Sequence, residues 1–303
     1  MLKNNRLTFE KIIVDTQNLK KVIDAMIRKN NLKICKVLVY YSLRLRAKQL
    51  IKSYLGGLYI VSYNSIKLLI ATWLFKPNKL DNKPLVLIDT FAIPGHTDSK
   101  RWYGCLWENL SSKTQSQTYF VSTLVKSSVL NLFSMYSKLK KNVENYIIKE
   151  SYLYFRDLVF AFNYNIRVKH LTVKRTEVLN QDITGIIEDC LYNPTDIYTI
   201  HESLLTYRFI QRLEQKKIKV RLAIDWFEGQ VIDKAWNAGF HKFYPSTKTI
   251  AYRAFESFPL YLCSYPIPIE AKAGVIPQVF SVQGSNTAES LKEFIPELKT
   301  ILI

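Results

Sequence analysis

Two carboxylates three residues apart, Asp225 and Glu228, follow the mostly apolar run Val220 to Ile224 in company with Trp226, Phe227 and Gln230. A carboxylate so placed can take the proton from an attacking hydroxyl or stabilise a cationic, oxocarbenium-like centre. Glu228 is the leading candidate for that role and Asp225 the alternative base. Each also has a plainer reading: a Glu in a first helical turn is favoured by the helix dipole, and an Asp readily caps a helix. Gln230 and Lys234 are four apart, so on a helix they share a face and can bind hydroxyls or an anionic group. Asp233 and Lys234 read equally as a solvated surface pair. His201, beside Glu202 near the start of a long helix, is of the residue type that titrates near neutral pH, although a surface His next to a Glu is commoner. Asp89 ends the apolar run Leu85 to Ile88 and precedes the loop Pro94-Gly95-His96. Lys242, Lys248 and Arg253 bring positive charge that suits a phosphate or a sugar carboxylate.

These residues need a scaffold, and the apolar pattern supplies one. Val220 to Ile224 reads as a buried strand that delivers Asp225 and Glu228 to a strand-to-helix loop, where open α/β sheets place their ligands. Leu85 to Ile88 reads as a buried first strand and Tyr119 to Val125 as a second. Helices are expected over Lys100 to Leu110, residues 127 to 163, Asp182 to Cys190, Asp196 to Gln215 and Gln230 to Ala238, the last closed by Gly239. The segment 167 to 178 reads as loop or strand. Short strands are expected at Thr249 to Tyr252, Tyr261 to Cys263 and Val279 to Val282, with a helix over Thr287 to Leu298. Short apolar strands alternating with helices point to an α/β fold, a Rossmann-like parallel sheet flanked by helices. The loop after the first strand lacks the glycine spacing of a dinucleotide fingerprint, so NAD finds no support.

Composition sets the organisation. The chain has 303 residues, 48% of them apolar and 13% aromatic, which excludes disorder as the general state. Residues 1 to 80 carry 16 Lys and Arg against three acids, a net +13 of the chain's +18. No acid occurs between Asp24 and Asp81. That stretch is attracted to polyanions. Between Ser53 and Phe75 only Lys67 is charged, and Tyr59, Tyr63, Ile66, Ile70 and Trp73 recur at helical spacing. Three readings stand for it: a helix packed on the main domain with Lys67 snorkelling, a peripheral contact with an anionic membrane surface through residues 25 to 75, and a membrane span. Nucleic acid is disfavoured because no recognised motif accompanies the charge. Cys35, Cys105, Cys190 and Cys263 are dispersed, as are the four His, so neither disulfides nor a metal site is expected. Without a secretory signal at the start, the cytoplasm is the expected compartment, with the inner membrane face as the point of contact. Boundaries fall at the polar Pro77 to Pro84 linker and near Gln283, giving a helical basic arm (1–80), an α/β domain (84–284) and a tail (285–303) read as a helix or the start of a second domain.

The block Asp225-Trp-Phe-Glu-Gly-Gln-Val-Ile-Asp-Lys-Ala-Trp-Asn-Ala-Gly-Phe240 resembles one carried by surface-carbohydrate biosynthesis proteins, which are glycosyltransferase-like with two facing Rossmann domains. Tyr244-Pro245, Ala251-Tyr252-Arg253 and Val275-Ile276-Pro277 match later elements, and the likeness reaches back to Leu85-Val-Leu-Ile-Asp-Thr-Phe91. It departs at Gly229, where Asn is expected, and at Arg253, where Gln is expected. The resemblance implies the N-terminal, acceptor-side half of a GT-B-like enzyme. Such an enzyme moves a sugar from a nucleotide-activated donor to a glycan or lipid-linked acceptor without a metal or other cofactor. Glu228 or Asp225 would stand at the reaction centre and Gln230, Lys234, Arg253, His201 and Asp89 would bind substrate. A complementary C-terminal domain or subunit would complete it. The rival expectation is a non-catalytic glycan-binding or scaffold subunit of the same pathway.

Overall fold

A computed structural model describes residues 55–303 apart from 76, 78–79, 81–82, 126–127, 176, 179–180, 183, 193–196 and 256–263. The basic arm before residue 55 and the strand expected at Tyr261 to Cys263 lie outside the described residues.

Seven strands form one all-parallel sheet: β1 (Leu85–Ala92), β2 (Thr118–Leu124), β3 (Tyr146–Ile147), β4 (Val220–Trp226), β5 (Lys248–Arg253), β6 (Val279–Val282) and β7 (Lys299–Leu302). Their order is β3-β2-β1-β4-β5-β6-β7. The chain builds outward from β1 in one direction, then returns to its other side to build β4 to β7. This is the Rossmann-like α/β arrangement that the sequence pattern implies. The central strands are nearly continuous apolar runs because helices cover both faces.

Alternation along β1 divides the core. Val86 and Ile88 face one cluster, where helix α2 (Val129–Lys141) contributes Leu132, Met135, Tyr136 and Leu139. Leu85 and Leu87 face the other, covered by α3 (Phe155–Phe162), α5 (Ile197–Gln215) and α6 (Val231–Phe243). Phe280, Val282 and Leu291 form a third cluster under α7 (Ser285–Lys292). A helix α4 (Thr184–Tyr192) and a two-stranded antiparallel ribbon pairing Glu177–Val178 with Gln181–Asp182 occupy the connection before α5.

Several expectations about elements change. The helix expected over Lys100 to Leu110 is two short helices, Lys100–Tyr103 and Leu106–Asn109, and the segment read as loop or strand from 167 begins in the short helix Tyr164–Lys169. The helix expected over 127 to 163 stops at Lys141. Tyr146 and Ile147 instead pair with Phe120 and Val121 as an edge strand. Polar anchoring explains the break: Asn145 Nδ2 donates to the Gln115 and Thr118 carbonyls, and the Glu144 carboxylate accepts from Ser99 and from the Tyr146 hydroxyl. Gly239 does not close α6, which runs on to Phe243. It lies where α6 crosses α5, and an added Cβ would come within 2.7 Å of Ile210 Cδ1. The tail after Gln283 is helix α7 followed by β7, which pairs in register with β6. Residues 285–303 thus add a helix and an edge strand to the same α/β layer system.

Helix α1 (Leu55–Leu74) packs one side on the domain, burying Ile60, Tyr63, Asn64, Leu68 and Ala71. Lys67 points inward from this side and is 1% exposed, so it does not snorkel. Its Nζ lies 2.9 Å from Glu150 and 2.8 Å from Glu202, while Lys149 Nζ meets the other Glu202 oxygen at 3.2 Å. Lys149 also donates to the Thr123 and Thr206 hydroxyls. Burial works against the Lys67 charge, yet the two carboxylates hold its pKa well above the usual lysine value. Glu202, which burial alone would raise, is brought down to about 2 by the two ammonium groups. Removing one member strands buried charge, which typically costs about 3–5 kcal/mol. Lys67→Met is therefore expected to lower unfolding stability by about that amount, measured as a fall in urea midpoint at unchanged slope.

Candidate functional site

The chain reverses direction of growth between β1 and β4, and the carboxyl ends of these strands mark the crevice where such sheets bind ligands. Ile88 pairs with Ile224, so the next residues, Asp89 and Asp225, stand side by side. Both point to the face of Leu87 and Ala223, since side chains alternate along each strand. They are 3% and 1% exposed.

The loop from β4 to α6 is tied around a third buried acid. Asp233 Oδ2 accepts from the backbone N–H groups of Glu228 and Gln230, both at 2.9 Å, with Gln230 as the helix N-cap. Gly229 bridges them at φ +81°, a conformation that favours glycine. Asp233 is thus the buried post of the loop, and the surface-pair reading with Lys234 gives way: Lys234 instead pairs with Glu270 at 3.0 Å. Phe227 turns down into the third cluster, which leaves Glu228 facing outward.

Glu228 is held at both oxygens. Trp226 Nε1 donates to Oε1 at 2.8 Å and Gln230 Nε2 to Oε2 at 2.6 Å. Trp226 is itself gripped by rings: Trp102, Tyr103 and Tyr252 lie 5.2, 5.6 and 5.6 Å from it by centroid. Trp102 Nε1 donates to the Phe91 carbonyl and the Tyr103 hydroxyl to the Asp89 carbonyl, which fixes the cage to β1.

A cavity of about 570 Å³ lies against this carboxylate, roofed by α1. Tyr59, Tyr63, Phe91, Trp102 and Tyr198 supply aromatic walls. Its polar groups are Glu228, Gln230, Thr123, Thr199 and Glu202. No Lys, Arg or His lines it among the described residues. Glu202 is neutralised by Lys67 and Lys149, whereas Glu228 has neutral donors only.

The other sequence candidates fall in different places. Asp225 lies beneath the loop, accepting from Asn237 Nδ2 at 2.6 Å, and does not line the cavity. Asp89 lies beside it. His201 is buried, and burial brings its pKa down to about 4, so it is neutral at physiological pH. Arg253 is buried under Tyr265 and donates to the Ser264 carbonyl at 2.7 Å. Of the seven sequence candidates, Glu228 and Gln230 meet at the cavity. The ring walls and the Lys67–Glu202–Lys149 network were not singled out in the sequence as site components. The signal for the network was a single lysine in an otherwise uncharged helix. Among the described residues, no group of three or more His, Cys, Asp or Glu side chains is arranged to hold a metal ion. Comparison of the chain with protein-family models, with curated proteins and with solved structures finds no match.

The three buried acids repel one another. Burial, then Asp233 and Asp89, push the Asp225 pKa well above the usual carboxylate range. Burial and Asp233 raise Asp89, against the pull of Lys149. Asp233 rises to about 7, chiefly through burial, despite its backbone donors. A proton on Asp225 also suits its surroundings, where Asp225 Oδ1 and Asn237 Oδ1 have no hydrogen-bond partner. Acids whose native pKa exceeds the unfolded value of about 3.9 bind protons more tightly when folded, so stability is lost as pH rises from there. The protein is expected to have a lower urea midpoint at pH 8 than at pH 5. Asp225→Asn, which keeps an acceptor for Asn237, should shrink that difference by removing one of the titrating groups.

Proposed function

We propose that the crevice binds a neutral, polyhydroxylated ligand as the acceptor of a glycosyl transfer, with Glu228 as the carboxylate at the reacting hydroxyl. The observation that carries this reading is the placement of Glu228 in an aromatic-walled crevice at the switch point of the sheet. Aromatic faces pack against the C–H faces of sugar rings, while Thr123, Thr199 and Gln230 provide hydroxyl and amide partners. The resemblance of the Asp225 to Phe240 block to surface-carbohydrate glycosyltransferases points the same way.

In the proposed step the acceptor hydroxyl donates to Glu228, which takes its proton as the oxygen attacks the anomeric carbon of a nucleotide-activated sugar. The new C–O bond forms as the bond to the diphosphate breaks, and the nucleoside diphosphate leaves with that electron pair. Trp226 and Gln230 orient the carboxylate through the transfer, and the buried Asp233 holds the loop that carries it. Glu228 is preferred over Asp225 because Asp225 is sealed beneath the loop. The crevice offers no cation for a diphosphate among its described residues, so the donor's charged portion is assigned to a different surface.

That same lack of cations favours a second reading, a glycan-binding subunit without catalysis of its own. The two separate experimentally. Transfer is followed by nucleoside diphosphate release from a panel of nucleotide sugars with neutral glycan acceptors, and binding by saturation-transfer NMR with those acceptors. Glu228→Gln should retain acceptor binding and lose about 10²–10⁴ in turnover, the usual worth of a general base. Trp102→Ala should weaken binding itself. Turnover by Glu228→Gln equal to wild type would sink the Glu228 assignment, and acceptor binding with no release by either protein would favour the binding subunit.

A further inference from the structure

Helix α1 carries its polarity on the wrong side for a solvent-exposed helix. Surface helices bury an apolar stripe and show charge to water. The single charge of α1, Lys67, is buried, and the buried side also holds Asn64. The outer side presents Leu55, Leu58, Tyr59, Ile66, Leu69 and Trp73, with Ser62 and Thr72 as its exposed polar side chains. Trp73 is 82% exposed. At the end of α1, Phe75 touches Phe133 of α2 at 5.8 Å, and α2 adds Leu130, 90% exposed, to the outer apolar surface. Lys138, Lys140 and Lys141 follow on the last turns of α2, all exposed.

We infer that this face is a docking surface for an anionic lipid bilayer, on which α1 lies flat. A span is incompatible with the packing, because α1 is buried along one side from Gly57 to Ala71 and its Lys67 is locked into the domain. Lying in the interface requires an apolar face at acyl depth with cationic groups at the headgroups. Both are present. Tyr59 and Trp73 are of the amphipathic ring type that settles at that depth. The lysines of α2 stand beside the apolar surface, and the chain that enters α1 carries eight Lys and Arg between Arg28 and Lys52 with no acid. A second copy of the chain suits the face less well. A 20-residue helix about 30 Å long and 10 Å wide offers on the order of 300 Å², short of the roughly 800 Å² per partner of a stable interface. The inference is independent of what the crevice binds, although Tyr59 belongs both to the crevice wall and to the outer face, which sets the crevice mouth beside the bilayer.

The test is flotation of the full chain with vesicles of mixed phosphatidylcholine and phosphatidylglycerol, and with phosphatidylcholine alone. Wild type should float with the anionic vesicles, less with the neutral ones and less as salt rises. Leu69→Glu with Trp73→Glu should reduce vesicle partitioning by roughly tenfold while retaining the wild-type thermal transition, since both residues are exposed. Should the added carboxylates disturb folding, Leu69→Ser with Trp73→Ser removes the same apolar contact more gently. Failure of wild type to float, or equal flotation by the variants, would overturn the inference. So would a concentration-dependent dimer that the variants dissolve, which would make a second copy the occupant. Acrylamide quenching that is the same for wild type and Trp73→Phe, showing Trp73 shielded without vesicles, would assign the face to the chain's own residues and overturn it as well.

Discussion

A buried lysine with nowhere to go except two buried carboxylates governs the upper layer of this fold. Lys67 on α1 meets Glu150 and Glu202, and Lys149 completes the set through Glu202 and two threonine hydroxyls. Four charges removed from water are tolerable only together. Their mutual need draws α1, the segment after β3 and the start of α5 into one arrangement over the carboxyl ends of the strands. That arrangement makes the roof of the crevice. It also decides which side of α1 faces outward.

Beneath the roof, the second polar layer works on the opposite principle. Asp89, Asp225 and Asp233 gather with only the pull of Lys149 on Asp89 against their repulsion, and hold protons more tightly than free carboxylates. Asp233 nevertheless organises the β4 to α6 loop through two backbone N–H groups. The carboxylate at the crevice is Glu228, outside this buried group, with its oxygens set by Trp226 and Gln230 and its position set by the ring cage around Trp226. Positions are thereby divided: acids below the loop shape it, and the acid on the loop faces the crevice. The same polar ring of Tyr103 that packs on Trp226 anchors to the β1 backbone, so a change in the first strand would be felt at Glu228.

The crevice and the outer face of α1 are two surfaces of one helix. The ionic lock turns the apolar row outward and Tyr63 inward, with Tyr59 at the edge between them. A ligand that carries both a hydroxylated head and an apolar tail would meet these surfaces together. This gives the proposed acceptor chemistry and the proposed lipid contact a shared structural origin without making either depend on the other.

The sequence by itself determined the sheet and its ligand edge. Leu85 to Ile88 and Val220 to Ile224 are apolar runs that only a strand covered on both faces accommodates, and the Asp225 to Gln230 segment had to follow the second of them into a loop. It also determined that α1 is uncharged but for Lys67. Tertiary structure decided the rest. Local periodicity could not tell a helix interior from the edge strand at Tyr146, because Asn145 and Glu144 act on partners 27 to 45 residues away. Nor could it show that Gly239 is a helix crossing rather than a helix end, since the constraint is Ile210 on another helix. The sequence put Glu228 ahead of Asp225, but as carboxylates near one strand end nothing in their spacing separated them physically. Burial under the loop separated them, because desolvation raises the pKa of Asp225 and leaves Glu228 at the crevice, a distinction set by distance to water and to other acids and invisible in residue spacing.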